Sequence, residues 1–203
     1  TQTPGRIPPC LDLAPPLPDG RPRQPCRSRH QRVAAVPDGE RFSPRPEAPS
    51  PFVEQASQLN VAAIQWLDVA RSVVKPREGG GKLAKWRRLA VESAKQCGRS
   101  WLLDIREPLD LPQTLAAAGG DRILWLEPRE GPAARSLASL AHEDRPAEVT
   151  ALIGPEGGWS TREFDLLEGL ADAGGVVRVR LTPTVLRIET ACAAVAALLT
   201  SLL

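Results

Sequence analysis

From residue 52 onward, short apolar runs alternate with segments whose apolar residues recur every three or four positions. The runs are 61–67 (VAAIQWL), 101–105, 122–126 (RILWL), 149–153 and 176–181, and their length and content predict buried strands. Helices are predicted over 52–59, 82–97, 109–118, 134–141, 161–171 and 189–203. Parallel strands cannot be joined by a tight turn and need a long crossover, which each intervening helix supplies. The order strand, helix, strand therefore predicts an α/β domain with a mostly parallel sheet over about 150 residues, a common domain size. In 82–97, Leu83, Trp86, Leu89, Ala90, Ala94 and Cys97 recur at helical spacing, while Lys85, Arg88, Glu92 and Lys95 point elsewhere, the pattern of an amphipathic helix. The last helix is rich in Ala and Leu nearly all round, so it is expected to bury itself against the sheet or a second subunit.

Residues 1–51 are of a different kind. They hold thirteen of the twenty-one prolines and eight arginines, with no stretch that sustains helical or strand alternation, so a disordered or non-native segment is expected there, and the folded domain is expected over 52–203. The chain contains no methionine, even at its first position, which is the pattern of a truncated or wrongly framed beginning. No apolar run approaches the roughly 18 residues of a membrane span and no secretory h-region precedes a cleavage site, which makes the cytoplasm the expected compartment. Cys10, Cys26, Cys97 and Cys192 form no C-x-x-C pair and only two histidines accompany them, so reduced thiols and no metal site are expected. The net charge of +2 conceals a basic segment: residues 71–106 carry ten Lys/Arg against three Asp/Glu. Such a run is either a solvated helix face or a footprint for nucleic-acid phosphates.

Two strand ends carry unusual chemistry. At 152–163, LIGPEGGWSTRE, a strand runs into a turn in which Gly157 and Gly158 let the backbone approach a ligand without a Cβ in the way. Ser160 and Glu163 have the spacing of a capping box opening the next helix. The loop lies at the carboxyl end of a strand, where open α/β sheets bind ligands. Neither G-x-x-x-x-G-K-[ST] nor G-x-G-x-x-G opening a helix is present, so the loop suits a ligand read through backbone groups, or is a tight turn without one. At 181–191, LTPTVLRIETA, Arg187 and Glu189 are the only charges from Leu181 to the end of the chain. They are either functional groups or members of a helix cap, since a carboxylate is favourable in a first turn.

Together these stretches resemble a known family. ALIGPEGGWSTREFD is similar to I-G-P-E-G-G-[FW]-[ST]-x-x-E, and VLRIETA to I-L-R-x-E-T-A, of the RsmE family of ribosomal RNA methyltransferases; RSVVK at 71–75, KWRRLAVESAKQCGR at 85–99 and ILWLEP at 123–128 agree more loosely. The resemblance covers 52–203 and implies a SPOUT-type parallel sheet with a C-terminal trefoil knot, S-adenosyl-L-methionine as cofactor, and methylation of N3 of one uridine in 16S rRNA of the small ribosomal subunit by a homodimer. It implies a cofactor site of Leu126, Ile153, Gly154, Pro155, Glu156, Gly157, Gly158, Leu181, Val185, Leu186 and Thr190, with Ile153 and Leu186 on the faces of the adenine. Arg187 is implied as the group that stabilises charge developing on the uracil or fixes a phosphate, and Glu189 or Glu156 as its proton acceptor. Arg71, Lys75, Lys85, Arg88 and Arg99 are implied contacts to RNA phosphates, and Trp159 is either a wall for the target base or a core or interface tryptophan.

The chain departs from the pattern at Asn60, where the family has glycine, at Ala70, where it has glutamate, and at 181–187, where L-T-P-T-V-L-R replaces Leu-Gly-x-Arg-Ile-Leu-Arg. The family's N-terminal PUA-like barrel, which grips RNA, has no counterpart in 1–51. A SPOUT-like domain that binds cofactor or dimerises without methylating RNA is therefore the alternative, and a plain nucleic-acid-binding α/β module the third reading.

Overall fold

The computed structural model describes residues 30–35, 51–72, 81–128, 135–137, 139 and 148–202. Seven strands form one sheet among them: β1 (His30–Ala35), β2 (Ala63–Leu67), β3 (Asp104–Leu109), β4 (Arg122–Leu126), β5 (Arg135–Ser136), β6 (Glu148–Ile153) and β7 (Val177–Arg180). Their order is β3-β2-β1-β6-β4-β7-β5 and every pairing is parallel. The helices are α1 (Pro51–Gln58), α2 (Gly81–Cys97), α3 (Leu111–Ala117), α4 (Thr161–Asp172) and α5 (Ile188–Leu202). None of the described helices is long and apolar enough to cross a membrane.

Period-two alternation sends the two faces of each strand into different cores. On β4, Leu124 and Leu126 pack in one cluster with Phe52 and Val53 of α1, Leu83 of α2 and Val195 of α5. Trp125 between them faces the other way and packs with Leu111 of α3 and Leu167 of α4. Burial on both faces is why β2, β4 and β6 read as continuous apolar runs rather than alternating ones. α5 buries only one stripe, Ile188, Ala191, Cys192, Val195, Ala196 and Leu199, and leaves Leu198 exposed.

Three elements depart from the sequence expectation. β1 lies at the centre of the sheet, between β2 and β6, in a segment for which no element was expected and upstream of the expected start of the domain at 52. Its sequence, HQRVAA, opens with three polar residues, so its apolar run is too short to stand out. β3 falls at 104–109 rather than 101–105, because pairing with β2, not hydrophobicity, decides which residues form an edge strand. Edge position also explains how Pro108 is tolerated within it, while Leu102 in the more apolar run is left exposed. The helix expected at 134–141 is contradicted at Arg135–Ser136, which pair with β7 as the opposite edge strand; residues 134, 138, 140 and 141 lie outside the described residues.

Asn60 illustrates how a departure from the family pattern is absorbed. Its φ of 65° is in the left-handed region. The N–H of Val61 donates to the C=O of Ala56 (3.0 Å) and that of Asn60 to Ser57 (3.2 Å), which together make a Schellman ending for α1. Glycine fits that position best and asparagine is the next most tolerant residue.

Candidate functional site

The strand register brings three chain segments together. Leu126 at the end of β4 is level with Ile153 at the end of β6 and with Val179 of β7. Residues 127–128, 154–158 and 181–186 leave the sheet at that level and enclose a cavity of about 410 Å³, a size suited to a small organic ligand. Leu126, Ile153, Val179, Leu181, Leu186, Ile188 and Ala191 give it apolar walls, and Arg71, Glu127, Arg180, Thr182 and Thr184 add polar groups.

The 154–158 loop is built by close approach. A Cβ on Gly154 would stand 2.8 Å from both Cε2 and Nε1 of Trp159, so only glycine fits over the indole. The N–H of Gly158, at φ +70°, donates to Pro155 C=O (2.8 Å) and closes the turn. Arg71 lies against Gly157 and donates from Nη1 to its C=O (3.1 Å).

Ser160 caps α4, and Glu163 completes the predicted capping box by accepting from the Ser160 N–H (2.9 Å) and hydroxyl (2.7 Å). The second oxygen of Glu163 accepts from the N–H of Ala70 at 2.9 Å. One carboxylate thus joins the turn after β2 to the loop after β6. Burial works to raise its pKa, but the Ala70 N–H, the Ser160 hydroxyl and N–H and the charge of Arg71 outweigh burial and hold it below the ordinary range.

The segment after β7 stays irregular until α5. Thr182 donates from its hydroxyl to Thr184 C=O (2.7 Å), a local bond that competes with helix or strand. Arg187 C=O accepts from Ala191 N–H (2.8 Å), which puts Arg187 at the cap position and Glu189 in the first turn of α5. Cys192 is fully buried beneath that turn, and burial together with the charge of Glu189 pushes its thiol pKa well up, so it is a neutral core residue.

Of the residues proposed from sequence for a cofactor, Leu126, Ile153, Gly154, Pro155, Glu156, Gly157, Gly158, Leu181, Val185 and Leu186 all line this one cavity; Thr190 does not and is exposed on α5. Arg187 and Glu189 are not in the lining either, although Leu186 and Ile188 beside them are. Trp159 also lines the cavity, and at 6% exposed it packs into the α3/α4 core beneath Gly154, the placement of a core tryptophan. Arg99 is engaged within the fold. Its guanidinium donates to the C=O groups of Ser57 and Val61 and lies over the Trp101 ring, so it ties α2 to the turn after α1. Lys85 and Arg88 are exposed on α2, and Lys75 lies outside the described residues. Glu127, only 2% exposed, belongs to the ILWLEP stretch but was not assigned to the site, and Arg180 was not singled out; the one signal for each is its place at a strand's carboxyl end.

Residues 42–200 match the family described as RNA methyltransferase domain. The chain is 30% identical over 164 residues to the ribosomal RNA small subunit methyltransferase E of Synechocystis, covering 77% of this chain and 48% of that one. It is 29% identical over 148 residues to the protein of the same name from Aquifex aeolicus, covering 73% and 60%. The chain therefore spans about half to three-fifths of the curated relatives it matches. Among solved structures it is similar to a protein from Legionella pneumophila described as a methyltransferase in complex with the bound cofactor SAM, with TM-score 0.70 and 28% identity over 85% of this chain and 66% of that one. The ribosomal RNA small subunit methyltransferase E of Neisseria gonorrhoeae bound to S-adenosyl methionine shares the fold, with TM-score 0.63 and 24% identity over 82% and 64%.

Proposed function

The chain belongs to the RsmE family of RNA methyltransferases, and from that premise we propose that it binds S-adenosylmethionine in the 410 Å³ cavity and methylates N3 of a uridine in 16S rRNA of the small ribosomal subunit. The observation that carries the proposal is the convergence of three strand-end segments on one cavity, which gathers ten of the eleven residues assigned to the cofactor from sequence. The cavity suits this group. Adenine is flat and uncharged, so it needs apolar walls and backbone hydrogen-bonding groups rather than a lysine, and Ile153, Leu186 and the glycine loop offer both. Gly154 and Gly157, each with no room for a Cβ at ordinary contact distance, hold that loop's backbone as a cradle.

Bound S-adenosylmethionine supplies a methyl group on a positively charged sulfur. The protein's share is to hold the uracil nitrogen in line with that methyl and to deal with the proton on the nitrogen, since the neutral base is a poor nucleophile. Arg187, at the cap of α5 next to Leu186, stabilises the negative charge that develops on the ring. Glu156, exposed in the cavity lining, or Glu189, in the first turn of α5, takes the proton. The finer architecture of the family belongs to the same proposal. β4 and β5, consecutive in sequence, lie on either side of β7 in the sheet, a strand order in keeping with a trefoil knot. Assembly as a homodimer through the exposed side of α5, and work in the cytoplasm, complete it.

Titration calorimetry with S-adenosylmethionine, followed by transfer of labelled methyl to undermethylated small ribosomal subunits, tests the reading on the full chain. Saturable cofactor binding and label in the RNA are expected, with Arg187→Ala losing transfer while it keeps cofactor affinity. A folded chain that does not bind S-adenosylmethionine refutes the proposal. Cofactor binding without transfer refutes the methylation step and favours the alternative of a cofactor-binding domain.

A further inference from the structure

The basic segment of the sequence resolves into two kinds of cation. Arg87 donates to Ile105 C=O and pairs with Glu107 (3.0 Å), and Arg99 is held by Ser57 and Val61 C=O, so both brace the fold. Lys85 and Arg88 are exposed and have no ion-pair partner among the described residues. Helical geometry puts them on the side of α2 opposite Leu83, Ala90 and Ala94, which are buried, with Lys82 on the flank and Lys95 two turns further along. The only acidic residue of α2 is Glu92, and it is 3.1 Å from Lys95.

The helix also runs in a useful direction. It ends where Arg99 reaches Ser57 and Val61, at the amino end of β2, so it runs antiparallel to that strand and its first half lies toward the carboxyl ends of the strands, the edge of the sheet at which the cavity opens. Lys82, Lys85 and Arg88 therefore occupy its cavity-side half, spread over about 9 Å of axis. No large apolar side chain is exposed on α2, as a membrane surface would require, since Trp86 and Leu89 pack against the core. A polyanion that is contacted through point charges and demands no apolar insertion fits this face: the phosphate backbone of RNA.

We propose that the outward face of α2, through Lys85 and Arg88, docks the phosphodiester backbone of the RNA whose base is presented to the cavity. This rests on the reading of the cavity as an RNA-methylating site and gives that site its substrate-gripping surface within the chain itself. Because these are phosphate contacts, they add affinity and orientation but no sequence preference.

The test is a salt titration of the full chain against a fluorescently labelled single-stranded RNA, read by anisotropy, beside a cofactor titration. Each lost phosphate contact on a single strand lowers the slope of log K against log salt by about 0.7, so Lys85→Gln/Arg88→Gln is expected to flatten the slope by about 1.4 and to weaken binding by roughly tenfold or more near 0.1 M salt. Its S-adenosylmethionine affinity is expected to stay at the wild-type value. The charge-preserving Lys85→Arg/Arg88→Lys variant is expected to keep the wild-type slope, which separates charge from packing. An unchanged slope in the glutamine variant, with wild-type RNA binding intact, overturns the docking face and leaves the methylation reading standing. A wild-type chain that binds cofactor but shows no salt-dependent RNA binding overturns both the face and the RNA half of that reading. Stronger binding to vesicles containing phosphatidylserine than to RNA, lost in the glutamine variant, overturns RNA as the partner.

Discussion

Gly154→Ala is the sharpest probe of the cavity because two opposed effects can be weighed. The φ of Gly154 is outside the left-handed region, so an alanine there meets no backbone penalty, and loss of unfolded-state freedom by itself stabilises by about 0.4–1 kcal/mol. Against this, the new methyl stands 2.8 Å from Cε2 and Nε1 of Trp159 and 3.2 Å from Cζ2, where ordinary contact needs about 3.4 Å or more. The indole is 6% exposed and packed with Leu67, Val69 and Leu152, so it cannot yield several tenths of an ångström freely. Overpacking of this kind costs about 1–3 kcal/mol, and the upper half of that range applies to a side chain so confined. The expected net loss is about 1–2 kcal/mol, read as a fall in melting temperature of roughly 2–8 °C for a domain of this size. The loop that relieves the clash also lines the cavity, so the affinity for S-adenosylmethionine is expected to drop about tenfold. Trp159→Phe, which removes the crowded side of the indole, is expected to be less harmful in the alanine background than in the wild type, giving a favourable coupling of 0.5 kcal/mol or more, within the usual range for residues in contact. If Gly154→Ala is as stable as the wild type and binds cofactor equally well, the steric reading of this glycine fails.

Two further outcomes follow from the bracing groups. Glu163 has a folded-state pKa below its ordinary value of 4.5, so its contribution is fully present above that value and is lost as pH falls through the lowered folded pKa; urea midpoints measured from pH 7 to pH 3 are expected to fall more steeply for the wild type than for Glu163→Gln, and parallel curves refute the assignment. Arg99→Ala strips a charged donor from two carbonyls and is expected to cost about 1.5–3 kcal/mol in chemical denaturation while leaving the salt slope of RNA binding unchanged; a flattened slope returns Arg99 to the RNA contacts.

How much of this was legible depends on whether the deciding interaction is local. The capping box at Ser160 and Glu163 is a three-residue pattern, and its geometry follows from the sequence. The bond from Ala70 N–H to the same carboxylate joins positions 93 apart, and no spacing rule reaches that far. The apolar runs at 63–67, 122–126 and 148–153 were legible because both faces of those strands are buried, while β3 and β5 at the edges were misplaced or missed because an edge strand is chosen by its partner's free hydrogen-bonding groups. β1 sits at the centre and was still missed, since a six-residue strand with three polar residues is specified by the strands on both sides of it.

The cavity shows the same division within a single site. The glycines and apolar residues that the resemblance implied for one site line one cavity, since parallel strands end at one edge of the sheet and the loops after adjacent strands meet there. Sequence could not say which charged groups remain available, because that depends on what each one touches. Arg99 and Arg88 are both arginines of the same basic run, yet one is consumed by two backbone carbonyls and a tryptophan ring while the other stands exposed with no ion pair among the described residues. A surplus of ten cations over three anions thus overstates the charge this segment offers a partner, and it is the subset left after the fold has used its share that a salt titration counts.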